Sequence, residues 1–323
     1  PECNYLFDAM HKGDGKTSLA TASVDVVWQS KSGLIQYTEL RDGKVSFYVG
    51  ADSDDEEKIK EGNAVIGAYD AGGTMIWSWH IWAVNYDPDT VENQLAFNGY
   101  TMMNRNLGAL ANDNSTAEKI LASYGLYYQW GRKDPFPGVN TAGSNAESSE
   151  SGQFSGSTQA FVINDAFSGH TFKSVRNSAM GDDDLAFVTA NPTTFVHFYQ
   201  QGATGMNTWA YNLTADELAA LWNSTTDKSK KTIYDPCPAG YCVPVNNGYA
   251  WQNWTADFVA FEPSLSGVVY SNGAGNTSYS PAAGYRKSGQ ASNVGYTCAY
   301  WAANMRAGTI TPYAMWCYNR SSL

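Results

Sequence analysis

The residue types that most often carry chemistry in proteins occur at three places in this chain. Arg132 to Asp134 form an Arg-Lys-Asp triplet inside the stretch S-Y-G-L-Y-Y-Q-W-G-R-K-D-P-F. Asp182 to Asp184 form a run of carboxylates, and two thiols, Cys298 and Cys317, lie near the end. A nucleophilic thiol needs a low pKa beside a base or a cation. Two carboxylates that act as acid and base need surroundings that separate their pKa values.

None of these places supplies such surroundings. Only Arg306 and Arg320 lie close in sequence to the two thiols, and the aspartates fall in a predicted loop without apolar neighbours. The motifs G-x-S-x-G and H-E-x-x-H and the P-loop do not occur. A charged turn held by ion pairs and ended by Pro135 explains the triplet, and a polar network that braces the core explains Asn104 to Asn106. The sequence therefore predicts no enzyme and no catalytic residue.

Metal ligands are equally sparse. The histidines are scattered singly and no Cys-x-x-Cys pair occurs, so we predict no metal site and no cofactor. His80 lies inside the strand-like run M-I-W-S-W-H-I-W-A, where a hydrogen-bonded strand histidine is the expected role. The acidic segment A-D-S-D-D-E-E, residues 51–57, misses the EF-hand spacing and predicts a solvated loop. Neither E-P-N nor Q-P-D occurs, so calcium-assisted sugar binding is not predicted.

Composition excludes two classes of partner. The chain has 323 residues and a net charge of −11, and nucleic-acid binding needs a basic face. No run of about 18 apolar residues occurs, so no membrane span is expected. Abundant Tyr, Trp, Ser, Gly and Asn suit both binding surfaces and ordinary extracellular β proteins, and composition does not choose between them. The length suits two domains. The start at Pro-Glu-Cys, without Met or signal peptide, predicts a processed or trimmed form.

The cysteines leave the disulfide pairing open. Their odd number allows one or two disulfides in an oxidising compartment and leaves at least one thiol over. Spacing does not choose the pairs. The five are Cys3, Cys237, Cys242, Cys298 and Cys317.

Residues 1–88 are predicted to form short strands. Val24 to Trp28, Leu34 to Thr38 and Val45 to Val49 are β-branched and aromatic runs separated by turn residues. A hairpin is predicted where A-V-I-G-A-Y meets M-I-W-S-W-H-I-W-A across Asp70 to Gly73. Short strands at this spacing predict an immunoglobulin-like β-sandwich over residues 1–88.

Asn85 to Asp89, N-Y-D-P-D, is the predicted linker, and residues 89–323 form a second predicted domain. Glu118 to Tyr124 and Ala215 to Trp222 are predicted helices, and Thr214 and Glu217 form a capping box before the second. Asn191 to Phe198 is predicted to start another helix or strand. Two loops are predicted, a long surface loop at Gly138 to Ser157 and a second loop at Ser174 to Asp184. The fold class predicted for the whole chain is β-rich α+β.

Six motifs then carry a resemblance to a known family: W-S-W-H-I-W, M-M-N-R-N-L-G-A, G-L-Y-Y-Q-W-G-R-K-D-P-F, N-P-T-T-F, I-Y-D-P-C-P-A-G-Y-C-V-P and A-A-G-Y-R. Over Cys3 to about Trp301 they resemble the C-terminal region of Bacteroidetes fimbrillin-family surface proteins, which is similar to the Fibrobacter major paralogous domain. The resemblance implies an immunoglobulin-like module followed by a C-type-lectin-like domain. It also implies a place at the cell surface, as the tip or accessory subunit of a fimbria.

The chain departs from that family at two points. Cys242 stands where the family usually has Arg, in C-P-A-G-[WY]-R-V-P. The chain ends at Ser-Ser-Leu without the closing strand that carries V-R-C. We expect the end to be trimmed or to differ in this member, and the disulfide that the family would assign to Cys237 stays open.

Gly284 to Leu323 resemble the variable region of lectin-fold proteins that retroelements diversify. In that group a Tyr-Trp anchor, here Tyr300 and Trp301, lies in the core beneath residues that vary among copies and form an open binding face. The resemblance implies a ligand-binding face, the C-terminal face, made of Tyr296, Asn304, Arg306, Thr309, Thr311, Tyr313, Trp316, Tyr318 and Asn319. In the alternative, the segment is simply a closing pair of strands, and Trp301, Met315 and Trp316 belong to the core.

These observations predict an extracellular adhesin, on the cell surface or a fimbria. Its predicted partners are an unknown protein or glycan ligand on another cell or host surface, and other fimbrial subunits. One alternative is a structural or accessory pilin that polymerises by strand donation. A remote alternative is an enzyme similar to the formylglycine-generating enzymes, which share the lectin-like fold and use paired cysteines, here Cys298 and Cys317.

Overall fold

The chain is rich in β-structure. The computed structural model describes residues 3–97, 100–138, 172–198, 208–222, 231–245, 255–262, 265–271, 277–287, 290–305 and 312–318. Strands make up 39% of the structure and helices 11%, so the predicted β-rich class is confirmed.

The first part of the chain forms two antiparallel three-stranded sheets. Their strands are β1 (Cys3–Asp8), β2 (Ser23–Gln29), β3 (Ile35–Arg41), β4 (Lys44–Val49), β5 (Gly62–Tyr69) and β6 (Met75–Ala83). The first sheet has the order β1-β4-β3 and the second the order β2-β5-β6. Val45 and Phe47 of the first sheet share one buried cluster with Val26 and Ile66 of the second. The two sheets therefore pack on each other through their alternating apolar residues.

Turn chemistry fixes the hairpins of these sheets. Asp42 and Gly43 join β3 to β4 with φ values of 49° and 72°, which the Asp-Gly pair adopts more readily than other residues. At the next hairpin, the Asp70 carboxylate accepts hydrogen bonds of 2.9 Å from the backbone N–H groups of Gly72 and Thr74. The turn predicted at Asp70 to Gly73 is thus present, and it joins β5 to β6.

The second sheet is covered on its other face by later residues. Trp28 and Val65 belong to a cluster that also contains Phe136, Phe172 and Phe195. The Trp28 and Phe172 rings meet edge to face, with centroids 5.8 Å apart. Because the sheet is covered on both sides, the residues of β5 from Gly62 to Ala68 are all buried. The later part of the chain is therefore built directly onto this sheet.

The later strands form several small sheets. They are β7 (Gln94–Phe97), β8 (Tyr100–Met103), β9 (Lys173–Arg176), β10 (Thr194–His197), β11 (Thr255–Glu262), β12 (Leu265–Ser271), β13 (Thr277–Pro281), β14 (Tyr285–Lys287), β15 (Gln290–Ser292), β16 (Thr297–Met305) and β17 (Pro312–Tyr318). Within the described ranges, β9 and β10 pair in parallel, and the other later pairs are antiparallel hairpin neighbours.

Three α-helices lie among the described residues: α1 (Ala117–Ala122), α2 (Asp184–Ala190) and α3 (Ala215–Ala219). The capping box of α3 is confirmed, because Thr214 and Glu217 bond each other's backbone N–H groups. This helix ends before the predicted Trp222, whose buried ring leaves the helical path and whose indole N–H donates to the Tyr234 carbonyl at 2.9 Å.

Trp130 is buried in the later part of the chain and connects several of its segments. Its indole N–H donates to the Ala302 carbonyl at 2.8 Å, and its own carbonyl accepts from the Trp209 indole at 2.7 Å. The Trp130 and Trp222 rings lie 5.6 Å apart. Buried indole N–H groups need such partners. Through Ala302, the aromatic stretch around Trp130 is joined to β16.

Two of three predicted segments have definite outcomes. The loop predicted at Ser174 to Asp184 is wrong, because most of β9 lies in it and α2 begins at its end. Asn191 to Phe198, predicted as helix or strand, contains β10. The loop predicted at Gly138 to Ser157 lies, beyond its first residue, outside the described residues.

The predicted linker follows β6 and is tied to the later part. The Tyr241 hydroxyl donates to the Pro88 carbonyl at 2.6 Å and lies 3.2 Å from the Asp89 carboxylate. The domain boundary itself stays a prediction. None of the helices in the described ranges is both long and apolar enough to cross a membrane.

Candidate functional site

The C-terminal face is described at two of its predicted side chains. Tyr296 is 45% exposed in the turn before β16, and Asn304 is half-buried near the end of that strand. Tyr313, Trp316 and Tyr318 lie on the backbone of β17. The side chains of those three, and the whole of Arg306, Thr309, Thr311 and Asn319, lie outside the described residues.

The two strands of this face pair antiparallel. Cys298 lies opposite Cys317, and Trp301 lies opposite Ala314. Cys298 is fully buried, and its thiol donates to the Ser280 carbonyl at 3.3 Å. Cys3 carries a free thiol.

Tyr300 and Trp301, both predicted to be core residues, occupy different surroundings. The Tyr300 hydroxyl donates to the Pro281 carbonyl at 2.6 Å, so this residue anchors β16 to the end of β13. Trp301 is 40% exposed, and its assignment to the core is wrong. Because successive side chains of a strand point to opposite faces, the Trp301 ring lies on the face of β16 opposite to that of Tyr300. Its indole N–H donates to the Tyr128 carbonyl at 2.9 Å, so its polar atom is satisfied while the ring stays accessible.

A cavity of about 920 Å³ opens beside this strand. Its walls come from β8, the aromatic stretch Tyr124 to Trp130, β10, and strands β13 and β16. Many aromatic residues contribute to the lining: Tyr100, Tyr124, Tyr127, Tyr128, Trp130, Phe195, Phe198, Trp209, Trp222, Tyr241, Tyr279, Tyr285, Tyr300 and Trp301. A cavity of this size, lined by aromatic and aliphatic side chains together with polar groups, has the character of a ligand site.

The charges in the cavity oppose the charge of the chain. The net charge of the protein is −11, yet no Asp or Glu is found among the described lining residues, whereas Arg105 and Arg286 are. The Arg105 guanidinium lies 3.9 Å from the centre of the Tyr86 ring, and that of Arg286 lies 5.2 Å from the Tyr127 ring. Burial lowers the pKa of Arg286 to about 10, so it stays cationic at neutral pH.

Two residues of the cavity wall, Tyr124 and Tyr279, have phenol hydroxyls that are buried away from the accessible space. Tyr124 and Tyr279 are 3% and 9% exposed, and neither hydroxyl has a hydrogen-bond partner among the described residues. Both rings belong to one apolar cluster. Burial raises the pKa of each phenol, and each is raised further by the nearby Cys298 thiol. Both hydroxyls therefore remain protonated donors at neutral pH.

The Arg-Lys-Asp triplet has a bracing role. Lys133 Nζ lies 2.7 Å from the Asp134 carboxylate and 2.9 Å from the Ser78 carbonyl, on β6. Arg132 donates to the Thr194 carbonyl at 2.8 Å. The void beside the triplet measures only about 10 Å³, which is at most the space of one water. The ion-paired turn predicted for these residues is present, and its void has no room for a substrate.

The polar residues that precede the stretch also brace the core, as predicted. Asn106 donates to the Tyr124 carbonyl at 3.1 Å and to the Tyr300 hydroxyl at 3.3 Å. His80 lies within β6, with its Nε2 3.0 Å from Asn63 Oδ1, so the hydrogen-bonded strand histidine is confirmed. Burial lowers the pKa of His80 to about 4, so it is neutral at pH 7. No three metal-ligating side chains come together among the described residues.

The motif Y-D-P-C-P-A-G-Y-C-V-P folds around one buried carboxylate. Asp235 accepts from the backbone N–H groups of Cys237 and Val243 at 2.8 and 2.9 Å, and it pairs with Lys231 at 2.8 Å. Lys231 also donates to the Tyr241 carbonyl at 2.8 Å. This bracing brings both Cys237 and Val243 to the cavity wall.

Sequence reasoning gave no role to Tyr124 and Tyr279, and it assigned Arg105, which also lines the cavity, only to the polar network that braces the core. The density of aromatic residues around Tyr124 was a usable signal, and the triplet Asn104 to Asn106 placed Arg105 near it. Tyr279 carries no signal of its own, because S-Y-S-P is typical of any short strand.

Comparison of the chain with protein-family models, curated proteins and solved structures finds no match.

Proposed function

We propose that the chain is a cell-surface or fimbrial-tip adhesin. Its first part would be an immunoglobulin-like β-sandwich and its later part a C-type-lectin-like domain that binds ligand through the C-terminal face. The six ordered motifs supply the family in this proposal. The two sheets that pack on each other over residues 3–83 are compatible with the first module.

The observation that carries the proposal is a pair of exposed aromatic rings on a fixed frame. Tyr296 and Trp301 are 45% and 40% exposed at the start and middle of one segment. The Trp301 indole is held by the Tyr128 carbonyl, and Tyr300 beside it is held by the Pro281 carbonyl. Exposed Trp and Tyr rings that lose little entropy on binding are typical centres of protein interfaces.

Trp301 therefore joins the face instead of lying beneath it. The half-buried Asn304 on the same strand supplies an amide that suits adaptable hydrogen bonding. A rigid aromatic centre with polar neighbours suits a protein or a glycan surface. We accordingly place the partner outside the cell, on another cell or on a host surface, with other fimbrial subunits as further partners.

A second candidate function, a structural or accessory pilin, is favoured by the first sheet. With the order β1-β4-β3, both β1 and β3 have one edge unpaired within the described residues. An open edge accepts a strand from another molecule through backbone hydrogen bonds. This role and the adhesin role use different ends of the chain.

Fluorescent beads coated with the purified chain test the adhesin proposal. The surfaces are a glycan array, immobilised mucin and fixed epithelial cells. We expect retention on at least one surface, and roughly tenfold or greater loss for the double variant Tyr296→Ala with Trp301→Ala, since hot-spot aromatics contribute about 2 kcal/mol or more. The matched control is Tyr37→Ala with Tyr48→Ala, which removes two rings that are 48% and 37% exposed on the first sheet.

Equal retention by the binding variant and the wild type, with both folded, would overturn the assignment of the face. Loss in the control variant alone would move the binding surface to the first sheet. Beads that bind none of the three surfaces, combined with concentration-dependent polymers of the purified chain, would favour the pilin.

A further inference from the structure

Cys237 and Cys242 flank a tight turn in the wall of the cavity. The Tyr241 backbone N–H donates to the Pro238 carbonyl at 3.1 Å, which closes a turn between the two cysteines. Gly240 is the third residue of this turn, and its φ of 86° is the left-handed value that a type II turn requires there. Because the first and last Cα atoms of such a turn lie within about 7 Å of each other, the chain reverses direction between the cysteines.

Two side chains clamp the loop that carries this turn. Asp235 accepts from the backbone N–H groups of Cys237 and Val243 at 2.8 and 2.9 Å, one on each carboxylate oxygen. Lys231 Nζ lies 2.6 Å from the Cys237 carbonyl and 2.8 Å from the Tyr241 carbonyl. Each clamp thus joins the backbone of the first cysteine to a residue next to the second. The two cysteines therefore occupy neighbouring positions on the two arms of a closed loop.

This arrangement suits a disulfide. The Cα atoms of disulfide-bonded cysteines are about 4.4–6.8 Å apart, which matches residues that face each other across two antiparallel arms. The structure records both residues as half-buried thiols. Burial raises the pKa of the Cys237 thiol, and the charge of Asp235 raises it further. Since a thiol of raised pKa holds little thiolate at neutral pH, the pair should react slowly and should be oxidised faster as the pH rises.

We propose that Cys237 and Cys242 form a disulfide when the protein meets a small-molecule disulfide as oxidant. The thiolate of one cysteine attacks the disulfide bond of the oxidant, forms a mixed disulfide with one half and releases the other half as a thiol. The second cysteine then attacks the mixed disulfide, which forms the bond within the loop and releases the remaining half. The two cysteine protons end on the two released thiols, so one disulfide is reduced as the other is made.

The new bond stabilises one wall of the cavity and its contact with the predicted linker. Tyr241, which adjoins Cys242, donates to the Pro88 carbonyl at 2.6 Å and accepts from Gln94 Nε2 at 3.0 Å. A disulfide lowers the conformational entropy of the unfolded chain, so the oxidised protein is the more stable form. This inference does not depend on the adhesin proposal, because it uses neither the C-terminal face nor a ligand.

Equilibration of the full chain with defined ratios of reduced and oxidised glutathione tests the inference. After an acid quench and alkylation, chymotrypsin cuts behind Tyr241, so the fragments that carry Cys237 and Cys242 stay joined only if a disulfide links them. We expect mass spectra to show the joined fragments before reduction and separate fragments after it. The equilibrium constant for this disulfide should be at least about tenfold larger in the native protein than in urea, because the native loop is already closed. The melting temperature of the oxidised protein should exceed that of the reduced protein by a few degrees.

Two glycine variants show whether the turn positions the pair. Gly240→Ala and Gly181→Ala both place alanine at a left-handed φ, 86° and 83°, and at both positions a Cβ would meet nothing within 4 Å. Both variants therefore carry the same kind of backbone strain, but only Gly240 lies between the cysteines. We expect Gly240→Ala to lower the equilibrium constant for the native disulfide by about threefold or more, because the closed loop holds the strained turn in place. The matched control Gly181→Ala should leave the constant unchanged.

Four results would each overturn the inference. The first is a disulfide that joins Cys237 or Cys242 to a different cysteine, and the second is glutathione adducts without the internal bond. The third is an equal equilibrium constant in the folded and the unfolded protein. The fourth is an equal effect of the two glycine variants on that constant. The first three are read from the wild-type chain alone, so they decide the question even if a variant fails to fold.

Discussion

The Ser78 hydroxyl donates a 2.6 Å hydrogen bond to the Asp134 carboxylate across 56 residues of sequence. Lys133 Nζ lies 2.7 Å from the same carboxylate, and the Lys133 and Asp134 side chains are only 10% and 7% exposed. Ser78 belongs to β6, whereas Lys133 and Asp134 follow shortly after the aromatic stretch Tyr124 to Trp130 in the later part. This cluster therefore fastens the second sheet to the rest of the protein.

Removal of the Asp134 carboxylate should strongly lower the free energy of unfolding. Asp134→Ala leaves the Lys133 ammonium buried without its counter-ion, and we expect a loss of about 3–5 kcal/mol in the free energy of unfolding. Ser78→Ala removes one hydrogen bond and should cost about 1–2 kcal/mol. Urea unfolding followed by tryptophan fluorescence measures both values. Asp55→Ala breaks an exposed ion pair with Lys58 and should change nothing measurable; equal losses in Asp134→Ala and Asp55→Ala would contradict the bracing role.

His80 should make stability depend on pH. Burial lowers its pKa from 6.5 to about 4, so the unfolded chain binds the proton more tightly than the folded protein. The stabilisation from neutral His80 is complete above about pH 6.5 and is lost as the pH falls towards 4, by roughly 2–3 kcal/mol. Urea unfolding at pH 7 and at pH 4.5 measures this loss.

The control for His80 is the variant His80→Gln, which keeps a donor for Asn63 Oδ1 and does not titrate. Its loss between pH 7 and pH 4.5 should be smaller than that of the wild type. Asp25 acts in the opposite direction, because burial raises its pKa to about 6, but this effect is shared by both proteins and cancels in the comparison. Identical pH profiles would show that His80 does not cause the dependence.

Alanine substitutions at Gly73 and Gly125 should distinguish the cost of backbone strain from the cost of steric crowding. Gly73 and Gly125 have φ values of 78° and 74°, so alanine at either position pays the left-handed strain of about 1–2 kcal/mol. A Cβ at Gly73 would meet nothing within 4 Å, whereas one at Gly125 would lie 2.6 Å from the Leu107 carbonyl oxygen. We expect Gly73→Ala to cost only the strain and Gly125→Ala to cost about 3 kcal/mol or more. Similar losses in urea unfolding would argue against close packing at Gly125.

The sequence predicted those strands, hairpins and helix caps that depend on residues close together in the chain. The strands and hairpins of residues 24–83 follow from alternation and from turn residues such as Asp42 and Gly43, and the capping box of α3 follows from Thr214 and Glu217. The helix α2 was missed because the run Asp182 to Asp184 suggested a solvated loop. Asp184 is instead buried, and it accepts bonds of 2.7 to 3.0 Å from three successive backbone N–H groups, those of residues 211–213.

The candidate site could also be predicted only in part, because it joins residues that are distant in sequence. The aromatic stretch was visible in the sequence, but the cavity wall also contains Tyr279, which lies 155 positions after Tyr124 and packs in the same buried cluster. Trp301 was predicted to be buried because the resemblance implies a Tyr-Trp anchor in the core beneath the face. Its exposure depends on a strand face and on the distant Tyr128 carbonyl, which no local pattern reports.

The gene should reveal whether the C-terminal face is diversified. Sequencing of the locus to about ten kilobases tests this prediction. If it is diversified, a reverse transcriptase gene should lie beside a near-copy of the codons for residues 284–323, with differences only where the copy has adenine.

The structure adds a constraint on where such differences can fall. Ala302 and Ala303 are 0% exposed, and a larger side chain there would overpack the core and lower the free energy of unfolding, typically by about 1–3 kcal/mol. We therefore expect both alanine codons to be identical in the two copies and the differences to fall on exposed positions such as Tyr296. Differences at the alanines would contradict the placement of β16 against the core, and a fimbrial operon without the copy would leave an adhesin with a fixed face.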